Sequence, residues 1–300
     1  MSTSSAPNDQ PPRTPGASQH RAGPDWPFYS ICGVMGGFYL TLIVAMLVAD
    51  AVYLARDSEA TIEPPAASST VFAWLINSPL GTALTDENIR HSIRLSLVSC
   101  TITAVLSLWV AIPVGYLMSR HHFWGKSLVD AVLDIPILLP PLVIGLSLLI
   151  LFQYLPRGLR EWFVYQVPGV ILAQFTVACA FAVRTMRATF DQIDPRREQV
   201  ALTLGCSRAE AFGRVVLPEC WPGILTAATL AWARSLGEFG PLLVFAGATR
   251  GKTEVLSTTV FLEMSIGDLE AAVAVSFIMI VAAVTILVIA RVWGTRRVMI

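Results

Sequence analysis

Charge is what this chain lacks. Only 14% of its 300 residues are Asp, Glu, Lys or Arg, while 54% are hydrophobic. A soluble domain carries about 25% charged and about 45–50% apolar residues. A surface facing water needs charge and one facing lipid excludes it, so the shortfall, with a mean hydropathy of +0.63, points to a membrane. The charges that remain cancel, 21 basic against 21 acidic, which removes the bulk attraction a nucleic-acid partner would need. Cysteine is sparse too. Cys32, Cys100, Cys179, Cys206 and Cys220 are widely spaced with no C-x-x-C pair, which excludes the common zinc and redox motifs. An odd number, none in an outside loop once the spans are placed, argues against a disulfide framework; they read as small apolar fillers. Clustered His, Asp and Glu ligands are missing as well, so no metal, cofactor or catalytic residue is expected on this chain. No internal repeat is visible, which disfavours the inverted-repeat architecture of many secondary transporters.

What is present is a series of long apolar runs. Residues 1–25, rich in Ser, Pro, Gly, Asn and Gln with no apolar run, read as a disordered cytoplasmic tail. A cleavable signal would instead place a short charged head directly before an apolar core. A spanning helix needs about 20 mainly apolar residues, and six segments qualify: about 28–54, 93–118, 128–152, 168–190, 223–246 and 269–291. The third is interrupted by Pro136 and by Pro140-Pro141. Proline is tolerated there where neighbouring helices or a cavity satisfy the freed carbonyls, so that span is expected to be kinked and enclosed by protein. The balance of basic residues favours both termini on the cytoplasmic side. The outer loop 56–91 is Pro/Ser-rich, with a short apolar stretch at 71–76.

The longest inner loop is the informative one. Asp194 followed by Pro195 is an N-cap with proline at the first helical position, and Glu198 is placed to reach back towards that cap. The helix should run to Leu204, where Gly205 offers a left-handed cap. A second helix should start at Ser207, again with a capping side chain, and Pro218 sits near the return to the membrane. The product is a compact helix–turn–helix on the cytoplasmic face. Its first helix, about 15 Å long, is the right scale for a knob that docks into a partner's groove.

This loop resembles the EAA loop of binding-protein-dependent ABC importer permeases, at Gln199, Val200, Ala201, Gly205, Val215, Leu217 and Pro218. Gln199 stands for the family's glutamate and Val200 for an alanine, with Glu198 one residue earlier. Ala233 to Gly240, Gly251 to Leu256 and Asp134 to Gly145 are similar to molybdate and sulfate permeases. The resemblance covers about residues 90–291. It implies a bacterial inner-membrane protein: an all-α polytopic domain over 26–300, with six transmembrane helices and a coupling loop at about 191–220 that inserts into a cleft on an ATPase subunit. The implied partners are a cytoplasmic ABC ATPase dimer, a second permease copy (a homodimer in preference to a heterodimer), an extracytoplasmic oxyanion-binding protein and membrane lipid. The chain would form the pore without catalysis. Molybdate is the cargo taken here, with sulfate, thiosulfate or tungstate as the alternative and an ion-coupled secondary transporter as the rival class.

The residues of the fifth span agree with a pore. Arg234 and Glu238 lie four apart on one helical face, and an arginine at the centre of a bilayer costs about 2.5–3.5 kcal/mol or more. Such groups face protein or a watery cavity, while Gly237 and Gly240 beside them permit close approach. The alternative is an ion pair that fixes helix packing and never meets cargo. Gly247 to Thr253 superficially resembles a phosphate-binding loop, but the glycine spacing is one short and no strand precedes it. His121 and His122 read as surface residues, and Asp130 and Asp134 as acids suited to a helix amino-terminus.

Overall fold

The computed structural model describes residues 84–298 without a gap, together with 40–50 and the isolated positions Val34, Gly37, Phe38, Val52 and Gly81. The expected tail 1–25 and most of the outer loop 56–91 lie outside the described residues. Of the expected first span, the apolar helix Leu40–Asp50 is described. Backbone contacts divide the chain into two units, residues 1–49 and 50–300.

Among the described residues of the second unit the regular elements are all helical. They are α1 (Glu87–Arg120), α2 (Lys126–Leu138), α3 (Pro141–Gln153), α4 (Arg157–Phe163), α5 (Val167–Asp191), α6 (Pro195–Thr203), α7 (Arg208–Glu219), α8 (Trp221–Leu236), α9 (Leu256–Ile266) and α10 (Leu269–Val298). Three are long and apolar enough to cross a membrane: α1, α5 and the Leu269–Val292 stretch of α10. The bent pairs α2–α3, at 111°, and α7–α8, at 71°, bring the number to five if each pair is one span.

α1 begins where Asp86 caps it, accepting from the backbone N–H of Asn88 at 2.7 Å and of Ile89 at 3.4 Å. Its buried face is a stripe of small residues at three- and four-residue spacing: Ser92, Ser96, Ser99, Thr103, Ser107, Ala111 and Gly115. Small side chains let helix axes approach closely, the usual means of association in lipid. Gly115 shows how closely, since a Cβ there would stand 2.9 Å from the Cβ of Met186 on α5. Higher up, buried Gln174 of α5 ties three helices together. Its amide oxygen accepts from the Thr103 hydroxyl at 3.3 Å, and its nitrogen donates to the carbonyl of Ser235 on α8 at 3.3 Å. A buried amide left unpartnered would cost free energy, so this triad sets the register of α1, α5 and α8.

The expected third span is broken where Pro140-Pro141 predicts. Pro136 is accommodated inside α2, and the corner falls at Leu139–Pro140. Its enclosure differs from expectation: α2 has no buried residue, and α3 buries Ile144, Gly145 and Phe152. Leu133 packs half-buried against the core, and charge carries the rest of the contact between α2 and α5. Arg184 pairs with Asp134 at 3.2 Å and Arg187 pairs with Asp130, so these two acids serve cross-helix pairs. The fifth span is also broken, because α8 stops at Leu236 and a wide π turn, Leu242–Ala246, follows Pro241.

Candidate functional site

The loop between α5 and α8 is built from local signals. Asp194 accepts from the Arg196 N–H at 2.9 Å and starts α6. Gly205, at φ 92°, ends it; the Cys206 N–H donates to the Ala201 carbonyl at 3.1 Å and the Gly205 N–H to that of Leu202 at 3.1 Å. That pairing is a Schellman cap. Ser207 then forms a reciprocal capping box. The Glu210 N–H donates to its hydroxyl at 3.3 Å, and its own N–H donates to the Glu210 carboxylate at 2.9 Å. The Ser207 N–H, followed by its hydroxyl, holds the Glu210 carboxyl below its ordinary pKa. α7 contains a π turn at Phe212–Val216.

Glu198 does not reach back to the cap of its own helix. Its carboxylate accepts from the Tyr116 hydroxyl and lies 3.9 Å from the Arg120 guanidinium, both on α1. Arg120 also donates to the Ile193 carbonyl at 2.9 Å, and Arg197 pairs with Glu219 on α7. α6 is thereby fastened on one side to α1 and on another to α7. Ala201 is buried, Val215 and Leu217 are half-buried, and Pro218 is exposed in α7. Gln199 is exposed, and Val200 and Leu204 present 57% and 80% of their surface to the outside. The loop thus has an anchored face and an open apolar one.

Arg234 and Glu238 meet at the break in the fifth span. The guanidinium Nη1 stands 2.6 Å from Oε1 of Glu238, an ion pair that lies off the line of a directional hydrogen bond, and among the described residues Oε2 has no hydrogen-bond partner. The Glu238 side chain is 1% exposed and that of Arg234 29%. Arg234 also lies over the ring of Phe181 on α5, 5.6 Å from its centroid. The two glycines behave differently. A Cβ on Gly237 would meet nothing nearer than 3.8 Å, whereas one on Gly240 would stand 2.8 Å from the Leu142 nitrogen and 2.9 Å from Pro141. Gly145 of α3 in turn admits Pro241, at 2.8 Å from where its Cβ would be. The corner of the third span and the break of the fifth therefore interlock through backbone. Pro140, Pro141, Arg234, Glu238 and Phe239 line a cavity of about 260 Å³ there. The sequence marked Arg234, Gly237, Glu238 and Gly240, and Pro140-Pro141 as a kink. It carried no sign that the two breaks share a cavity, nor that Tyr116 and Arg120 hold the loop.

The loop after the π turn uses its own polar groups. The Thr249 carbonyl accepts from the N–H groups of Lys252, Thr253 and Glu254 at 3.1, 3.1 and 3.2 Å, and the Thr253 hydroxyl donates to the Gly247 carbonyl. The donors a phosphate-binding loop would aim at a phosphate are turned inward.

These features define an integral membrane protein of helices, three of them long and apolar enough to span and two further pairs sharply bent, with a helical loop between α5 and α8. Residues 111–297 match the family of binding-protein-dependent transport system inner membrane components, and the chain belongs to that family, one of permease subunits rather than enzymes. It is 31% identical over 212 residues to the sulfate transport system permease protein CysT of Escherichia coli, covering 68% of this chain and 76% of that protein. It is 37% identical over 161 residues to the molybdate/tungstate transport system permease protein WtpB of Pyrococcus abyssi, covering 54% of this chain and 62% of that protein. The fold is similar to that of a chain in a bacterial ABC transporter involved in import of the acidic polysaccharide alginate. The TM-score is 0.67 at 17% identity, covering 91% of this chain and 96% of that one.

Proposed function

We propose that this chain is the permease subunit of an ATP-driven oxyanion importer and forms half of its pore. Molybdate is the assigned cargo, and sulfate, thiosulfate or tungstate the alternative. The observation that carries the reading is a guanidinium, Arg234, held inside an apolar helix at the level where two spans break and enclose a cavity, in a chain of this family. A cation there favours anionic cargo, and the neighbouring Glu238 weakens its grip, as transit requires. Arg234, Gly237, Glu238 and Gly240 are the pore-site residues on this view.

On this view α1, the bent pair α2–α3, α5, α8 with the stretch that follows it to Ala246, α10 and residues 28–54 make six spans, with both termini inside. A cytoplasmic ATPase dimer supplies the energy. The 191–220 loop couples it to the pore: Gln199, Val200 and the Gly205 turn face the ATPase cleft, while Glu198, Ala201, Val215, Leu217 and Pro218 hold the loop's shape. The exposed pair Val200 and Leu204, four residues apart on one face, supports this assignment. A second copy of the chain completes the pore, and an extracytoplasmic binding protein delivers the anion.

The test is co-purification of the tagged chain from solubilised membranes, comparing wild type with Gly205→Pro. Proline cannot adopt φ 92°, so the turn is lost while the spans remain. An ATPase that accompanies wild type and is lost from the variant supports the reading. A chain that purifies at normal yield with no ATPase in either case overturns it in favour of an ion-coupled transporter.

A further inference from the structure

A second polar cavity lies at the other end of α1, far along the helix from the coupling loop. It measures about 530 Å³ and is lined by Glu87, Asn88, Arg90, His91 and Arg94 with Gly251 of the 247–255 loop. Arg90 and Arg94 are four residues apart, so their side chains lie over one another on one helical face. Among the described residues neither guanidinium has a carboxylate within 4 Å, whereas Arg250, next to the cavity, is committed to Glu263 at 2.7 Å. Both arginines are exposed to the cavity side, while His91 is half-buried with its Nε2 closed off from solvent. Of the nearby acids, Asp86 is occupied as the cap of α1. Glu87 stands in the lining as a counterweight.

We propose that this cavity is an anion-receiving site, in which Arg90 and Arg94 take a tetrahedral oxyanion before it enters the pore. The proposal rests on the reading of the chain as an oxyanion permease whose α1 amino-terminus faces outward. The chemistry suits the ligand. Two guanidinium forks present planar pairs of N–H donors that match adjacent oxygens of an oxyanion. Glu87 keeps the site from holding its ligand too long, which a relay to a second site at Arg234 requires.

The experiment uses the full chain in nanodiscs, with radiolabelled sulfate and molybdate as probes in equilibrium dialysis. Wild type should bind saturably, and Arg90→Gln/Arg94→Gln about tenfold more weakly, as expected for losing charge-assisted hydrogen bonds. Arg90→Lys/Arg94→Lys should recover part of the affinity, because charge is retained and the fork is not, and it keeps the test open if the glutamine pair fails to fold. Equal binding by wild type and both variants overturns the proposal, as does absence of binding by wild type. ATP-driven uptake by the reconstituted transporter separates this from the functional reading. Normal uptake without binding at this site removes the site alone. Binding that depends on Arg90 and Arg94, with no uptake of either anion, removes the permease reading and keeps the anion site.

Discussion

Tyr116 on α1 donates its phenolic proton to Glu198 on α6, across 82 positions of sequence. With Arg120, which lies against the same carboxylate, it joins the base of a spanning helix to the exposed loop. Tyr116→Phe removes one hydrogen bond to a charged acceptor and should cost about 1–2 kcal/mol. Glu198→Ala should cost more, because it strands Arg120, whose side chain is 11% exposed. Thermal unfolding of the purified chain measures both. Equal losses would show that Arg120 gains nothing from Glu198.

Gly240→Ala and Gly237→Ala should part company although three residues separate them. A methyl group at Gly240 must displace the backbone of Pro141 and Leu142, and such overpacking costs about 1–3 kcal/mol. At Gly237 the methyl finds room, so stability should stay within about 0.5 kcal/mol of wild type. Transport assays should follow the same order. A tolerated Gly240→Ala would mean that the two breaks do not interlock.

Arg234→Ala leaves the Glu238 carboxylate buried beside no cation. Breaking a buried pair on one side costs about 3–5 kcal/mol, and the partial exposure of Arg234 places this case at the lower end. The double variant Arg234→Ala/Glu238→Ala should therefore be more stable than Arg234→Ala alone. A double variant with the summed loss of the two singles would show that the residues act independently.

Glu254 supplies a dependence on pH. Burial raises its carboxyl above the ordinary value of 4.5, and Glu263 and Asp86 add to the rise, against opposing contributions from Thr259 and Arg250. A group with a raised folded pKa binds more protons folded than unfolded, so its contribution falls as pH climbs from 4.5 through the folded value. Glu254→Gln mimics the protonated form. Variant and wild type should melt together near pH 4 and the variant should melt higher at pH 8. The opposite divergence would contradict a buried, raised carboxyl.

Local features of the loop were legible because their causes are local. Asp194-Pro195, Gly205 and Ser207 each act on the next few backbone groups, and the structure places a cap, a left-handed turn and a cap there. The Arg234–Glu238 pair was legible for the same reason, through helical spacing. Glu198 was not, since a capping position and a cross-helix anchor look alike in sequence and the choice depends on where Tyr116 arrives in space. Pro140-Pro141 announced a corner but not its partner at Gly240. The break at Gly237 was hidden too: apart from Glu238 the run to Ala246 carries no charge, and hydropathy does not register that Pro241 lacks an N–H for the ladder.

The attachment of α2 has a mechanical consequence. Its joints to α5, Arg184 with Asp134 and Arg187 with Asp130, are ionic and half-exposed, and such pairs are worth about 0–1 kcal/mol each. Parting them uncovers little apolar surface, because α2 has no fully buried residue and lays Leu133, half-buried, against the core. Prising α1 from α5 would instead strip a continuous close-packed stripe. The chain therefore combines a stiff keel with an arm that swings at little cost, and its corner, Leu139–Pro140, abuts the cavity at Arg234.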